Sequence, residues 1–210
     1  YARLGNPTDS YRSNSALNAH FVKQPRCVDL MTMGAIEAAD DAKKAAFPIY
    51  FPVQRGQSFG GSPTTQVDAL VSAGLLKTST TSVAMPKMFG NDTQSEQVTA
   101  YDLTDKGRKA SEIAAKVPRD AFFGDAPRFC YGTPEIIEIQ QFTEPAAVMG
   151  VTASHATYTY RLKDKADWTQ NPAVQAAFPQ IKRDMANAID GQDDLILTNN
   201  GWVEQHEVMQ

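Results

Sequence analysis

The chain has 210 residues, 42% of them hydrophobic and 21% charged, with a formal net charge of −4. That composition excludes collagen, wholesale disorder and a coiled coil, each of which needs a far more biased chain, and the acidic balance argues against nucleic acid or an anionic membrane as the main partner. No apolar run approaches the roughly 18–20 residues of a membrane-spanning helix, and the length suits one large domain or two small ones with a core of their own.

Residues 1–26 are polar and turn-rich, with Gly5, Asn6, Pro7, Asp9 and Ser10, and predict a surface arm with a helical turn around Ala16–Phe21. Met31–Ala46 fits a helix that places Ile36 and Ala39 inward and Asp40 and Asp41 outward. Phe47–Val53 is β-prone, but its two prolines confine it to an edge or a short strand. Residues 54–63 form a glycine-rich connection. Ser62 then offers an N-cap and Pro63 a first helical position. Val67, Leu70, Val71 and Leu75 make one apolar stripe that Gly74 is placed to end. Leu76–Met85 and Gln97–Leu103 read as strands joined through Gly90-Asn91-Asp92. Thr104 caps a helix running to Lys116.

Helix, strand, turn, strand and helix in this order, with the phrases VDALVSAGLLK and TAYDLTDKGRK, resemble the winged-helix family over residues 62–117. In that family the helix before the wing reads the major groove with basic and amide side chains. Here its outer face carries Thr64, Thr65, Gln66, Asp68, Ala69 and Ser72, with no positive charge, so winged-helix shape without DNA binding is expected.

Residues 118–127 read as a linker, and Phe122 and Phe123 within it are costly to leave bare, so the two halves are expected to pack together. Beyond it, Ile137 and Ile139 face one way and Glu138 and Gln140 the other. Ala156, Tyr158, Tyr160 and Leu162 share one face of a long strand, opposite His155, Thr157, Thr159 and Arg161. Phe178, Ile181, Met185 and Ile189 fit a helical stripe ending at Asp190-Gly191, and Asn199-Asn200-Gly201 turns a final hairpin. The expected organisation is an arm (1–26), a winged-helix-like subdomain (27–117), a linker (118–127) and an antiparallel sheet plus helix (128–210). The class is α+β, a winged-helix-like first half packed with a sheet-and-helix second half.

Tests for catalytic chemistry find little. Gly56-Gln57-Ser58-Phe59-Gly60 matches the G-x-S-x-G nucleophile elbow, but Gly61, Ser62 and Pro63 delay the helix that the elbow requires. No serine is followed three residues later by lysine, and Lys77-Thr78-Ser79 lacks the glycine of K-T-G. His20, His155 and His206 stand singly, without metal-ligand spacing, and no cofactor motif is present. Asp40/Asp41 and Asp193/Asp194 are adjacent pairs; in a strand such neighbours point to opposite faces, and solvated positions are expected for them. Cys27 and Cys130, about a hundred positions apart, can form one disulfide or remain two small buried thiols. The start at Tyr1, without an apolar leader, fits either a cytosolic chain or a mature form whose signal has gone.

The second half carries a more informative resemblance. F-C-Y-G at Phe129–Gly132, F-T-E-P at Phe142–Pro145, T-Y-T-Y-R at 157–161 and L-T-N-N-G-W at 197–202 are similar to the carbapenem intrinsic-resistance proteins, periplasmic accessory proteins of Gram-negative carbapenem clusters, and the likeness extends over residues 27–204. It implies a secreted α+β protein that protects against carbapenems without being a β-lactamase, and supplies no catalytic residues to transfer. A periplasmic address with an even cysteine count predicts a Cys27–Cys130 disulfide. The small, weakly polar second face of strand 151–162 predicts a twofold dimer. The partners to expect are therefore the antibiotic, an envelope protein or a second copy. Two alternatives are an envelope-interaction module unrelated to antibiotics and a serine esterase using Ser58.

Overall fold

The computed structural model describes residues 7–30, 32–36, 47–53, 62–86, 93–115 and 127–208. It is α+β with antiparallel sheets. The chain divides into two compact units: Tyr1–Arg26, Tyr131–Ala166 and Lys182–Gln210 form the first, and Cys27–Cys130 with Asp167–Ile181 the second. The expected 128–210 subdomain is therefore split. Residues 167–181 cluster with the second unit: Trp168, Val174, Phe178 and Ile181 are buried, and α4 (Pro172–Ala177), which carries Val174, packs on α2 (Thr65–Ser72). Linker residues 118–126, with Phe122 and Phe123, lie outside the described residues, as do Ser58 and the Asp40/Asp41 pair. Among the described residues no helix is long and apolar enough to cross a membrane.

In the first unit, β5 (Arg128–Phe142) from Tyr131 onward, β7 (Val151–Lys163), β8 (Ile189–Thr198) and β9 (Gly201–Glu204) pair in that order, with β6 (Ala146–Val148) also on β7. β7 behaves as its alternation predicts: Ala156, Tyr158, Tyr160 and Leu162 are all buried. β5 does not. Its register shifts between Ile136 and Glu138 and again between Ile139 and Gln141. A bulge inserts an unpaired residue and re-aims its neighbours, so Ile136 is buried while Ile137 is left 48% exposed.

Two expectations in this unit are corrected. The polar N-terminal stretch is not an arm but α1 (Pro7–Lys23). Leu17 and Phe21, four residues apart on one helix face, are buried, and Asn18 Oδ1 accepts the Ile136 backbone N–H at 3.0 Å. Tertiary burial of that short stripe outweighs the turn-like composition. The helix expected through Ile189 stops at Asp184, the end of α5 (Pro179–Asp184), and Ile189-Asp190-Gly191 begins β8. Gly191 sits opposite Tyr158, where a Cβ would fall 2.5 Å from the ring, so only glycine lets that ring lie across the strand.

In the second unit, β2 (Ile49–Pro52), β4 (Thr93–Leu103) and β3 (Leu76–Pro86) form a three-stranded sheet, and the proline-flanked β2 is an edge as expected. α2 begins two residues later than Ser62 suggests. Thr64 is its N-cap, and Ser62 makes the turn before it, its Oγ accepting the Thr64 N–H at 3.3 Å. Gly74, at φ 75°, closes the helix in a Schellman arrangement: its N–H reaches Val71 O and that of Leu75 reaches Leu70 O. Thr104 caps α3 (Asp105–Ala115) as predicted, its Oγ1 accepting the Gly107 N–H at 3.0 Å. Ala69, assigned to the outer face of α2, is buried. Thr32–Ile36 is a turn leading to a bridge with Tyr50, not the start of a helix, because Ile36 packs with Val83 and Val98; residues 37–46 of that expectation lie outside the described residues.

Cys27 and Cys130 are disulfide-bonded. The bond joins β1 (Arg26–Asp29) to the start of β5 and ties together the two ends of the second unit's Cys27–Cys130 segment. Beside it, Arg128 holds Asp29 through Nε at 2.7 Å and Nη2 at 3.2 Å, and Leu30 N–H donates to Pro127 O at 2.8 Å.

Candidate functional site

A cavity of about 280 Å³ opens in the first unit, near the lower end of the roughly 300–1,000 Å³ usual for small-molecule sites. α1 contributes His20 and Phe21; β7 contributes Tyr158 and Tyr160; β8 contributes Asp190 to Asp193; the C-terminal strand and turn contribute Glu204 and His206; Arg26 stands at the start of β1. Alternation builds this wall. Adjacent Asp193 and Asp194 point to opposite faces, so Asp193 accepts the Tyr158 hydroxyl on the cavity side while Asp194 lies 2.8 Å from His155 Nδ1 on the other. Asp193 is half-buried, against the expectation of a solvated pair.

At one end of the cavity Glu204, only 2% exposed, is surrounded by donors. His206 Nδ1 lies 2.7 Å from its Oε1, the His206 backbone N–H donates to Oε2 at 2.9 Å, and His20 Nδ1 lies 3.5 Å from Oε2. His20 also meets Glu207 at 3.2 Å, and Lys23 holds Glu207 at 2.8 Å. The bond to Glu204 holds the His206 imidazole above its ordinary range. At the other end Arg26 lies 5.6 Å from the centre of the Tyr160 ring and donates from Nη2 to its hydroxyl at 3.3 Å. Phe21, Tyr158 and Tyr160 stand between, with ring centres 6.0–6.2 Å apart.

Comparison with protein-family models, with curated proteins and with solved structures returns no match. The site therefore rests on its own chemistry. It joins His20 and His206, which in the sequence stand apart as single histidines, around one buried carboxylate. No local spacing could have shown this, because the pairing is made by α1 folding onto the C-terminal turn. His155 is not part of it. Among the described residues no group of three or more His, Cys, Asp and Glu side chains is arranged to hold a metal ion.

Burial pushes the Asp193 carboxyl above its usual range, the Tyr158 hydrogen bond pulling the other way and the charge of Glu204 adding to the rise. The native chain thus binds this proton more readily than the unfolded chain does, so stability falls as pH rises through the carboxylate range and the ionised form is a cost at neutral pH. Asp193→Asn keeps an acceptor for Tyr158 and is expected to raise Tm at neutral pH. The gain should vanish as the pH falls below the ordinary Asp value of about 3.9. Thermal melts of both proteins across that range check it; an unchanged or lower Tm at neutral pH would contradict it.

Proposed function

We propose that the protein acts outside the cytoplasm, in the periplasm, giving protection against carbapenem antibiotics by holding the drug rather than by hydrolysing it. The phrases shared with carbapenem intrinsic-resistance proteins motivate the reading, and the Cys27–Cys130 disulfide suits an oxidising compartment. One observation carries the mechanism. The first-unit cavity is lined by acids, histidines, tyrosines, glutamines and an arginine, with no serine, threonine or cysteine among its lining residues. Opening a β-lactam by acyl transfer needs an activated nucleophile of that kind beside a base. This cavity offers charge and hydrogen bonds instead, which suit reversible capture. The helix–hairpin–helix of the second unit serves in this reading as a winged-helix-like support without a nucleic-acid partner.

The test is to incubate purified protein with excess carbapenem, following the β-lactam chromophore and, in parallel, binding by calorimetry. Saturable stoichiometric binding is expected, with loss of chromophore at the buffer rate, whether or not chelator is present. Multiple turnovers that survive chelator would overturn the reading and return attention to Ser58.

A further inference from the structure

We propose that Arg26 is the receptor for a carboxylate in the first-unit cavity, whose ligand is a small monocarboxylate bearing a hydroxyl or ammonium donor that Asp193 accepts at the opposite end. This deepens the preceding reading and rests on it in one respect only, that the cavity takes a small molecule. Arg26 is the guanidinium that lines the cavity. Lys23, Lys106, Arg128 and Arg161 each meet a carboxylate, at 2.8, 2.9, 2.7 and 3.2 Å. Arg26 lines a cavity with three acids, yet among the described residues none is in direct ion-pair contact with it; the charge of Asp184, which the Tyr131 hydroxyl holds, reaches it only at longer range.

The acids are committed elsewhere: Asp190 to Gln140 at 3.3 Å, Asp193 to the Tyr158 hydroxyl, and Glu204 to the two histidines. A guanidinium has five N–H donors, and Arg26 uses one of them on Tyr160. Its position is set by the Tyr160 ring, itself only 6% exposed, and by the disulfide-bonded residue next in the chain, Cys27. A planar fork held in this way is prepared for two parallel hydrogen bonds to an oxyanion.

Two features select a carboxylate over a phosphate and set the rest of the ligand. Asp193 and Glu204 share the cavity and would repel a second negative charge. Asp193 also has acceptor capacity beyond the Tyr158 hydroxyl, since a carboxylate offers about four lone-pair sites, and a ligand donor there would offset the cost of its burial. Tyr158 and Tyr160 separate the two poles, and the absence of a side chain at Gly191 leaves room for Tyr158 between them. A carbapenem nucleus, with its single ring carboxylate, belongs to this chemical class.

Arg26 is exposed and its backbone sits at a strand end, so Arg26→Met is expected to fold, the methionine covering the Tyr160 ring. Calorimetry on wild type, Arg26→Met and Arg26→Lys would use a carbapenem, its carboxyl methyl ester, a small hydroxy-monocarboxylate and inorganic phosphate. NMR would follow the Arg26 Nε–H. Arg26→Met and the ester should each bind about ten- to a hundredfold more weakly than the wild-type acid pair, as loss of a charged hydrogen bond implies. Arg26→Lys should fall between, and phosphate should bind more weakly than the monocarboxylate. Equal binding by Arg26→Met, by the ester or by phosphate overturns the assignment. If only the hydroxy-monocarboxylate binds and shifts Arg26, the carboxylate site stands and the carbapenem reading falls; if no carboxylate shifts Arg26, the assignment falls.

Discussion

Replacing Cys27 and Cys130 by serine should lower the stability of the protein by about 4–5 kcal/mol. The bond closes a loop of 103 residues, and in the chain-entropy model a loop near that length restricts the unfolded chain by about 4.7 kcal/mol. For a chain of this size that corresponds to a fall in Tm of roughly 10–20 °C. The effect should reach the neighbouring Arg128–Asp29 pair, where Arg128 is only 8% exposed and relies on the two strands staying paired. Chemical denaturation of the double serine variant, and of wild type under reductant, checks the expectation; denaturation midpoints matching the oxidised protein would refute it. The result bears on location, because a fold so dependent on one disulfide is suited to compartments that preserve it.

The second large effect is expected at Gly107, in the first turns of α3. Helix propensity alone makes Gly107→Ala stabilising by up to about 1 kcal/mol. Tertiary structure reverses the sign. A Cβ at this position would lie 1.9 Å from the Leu75 carbonyl oxygen, which already accepts the Thr104 N–H at 3.0 Å and the Thr104 hydroxyl at 3.1 Å. That obstacle is backbone, so no rotamer change can clear it, and α3 must lift away from the end of α2. We expect a loss of about 3 kcal/mol, at the upper end of overpacking costs, and a fall in Tm of roughly 6–12 °C. A melt in which Gly107→Ala equals or exceeds wild type would mean that α3 does not lie against Leu75 O.

Much of the fold was legible because it depends on neighbours in sequence. The β7 alternation, the α2 stripe with Gly74 after it, the Thr104 cap and the hairpin at Asn199-Asn200-Gly201 all express periodicity or backbone preference within a few residues. What escaped was decided by distant pairing. α1 is helical because Leu17 and Phe21 find cover, and Ile189 extends into a strand because it pairs with Tyr160. Bulges in β5, invisible to a strict two-residue period, chose Ile136 over Ile137 for burial.

The candidate site shows the same division more sharply. From the sequence alone came the acidic balance, the two cysteines able to pair, the lack of a β-lactamase constellation, and the opposite facing of Asp193 and Asp194. Only the tertiary structure brought His20 to Glu204 and His206, 184 and 186 positions away, set Tyr158 over Gly191 against Asp193, and laid Arg26 on the Tyr160 ring. The physical reason is that periodicity and caps act through local backbone geometry, which a sequence displays. Desolvation and charge pairing instead depend on which distant surfaces meet, and those meetings are selected by the packing of the whole unit.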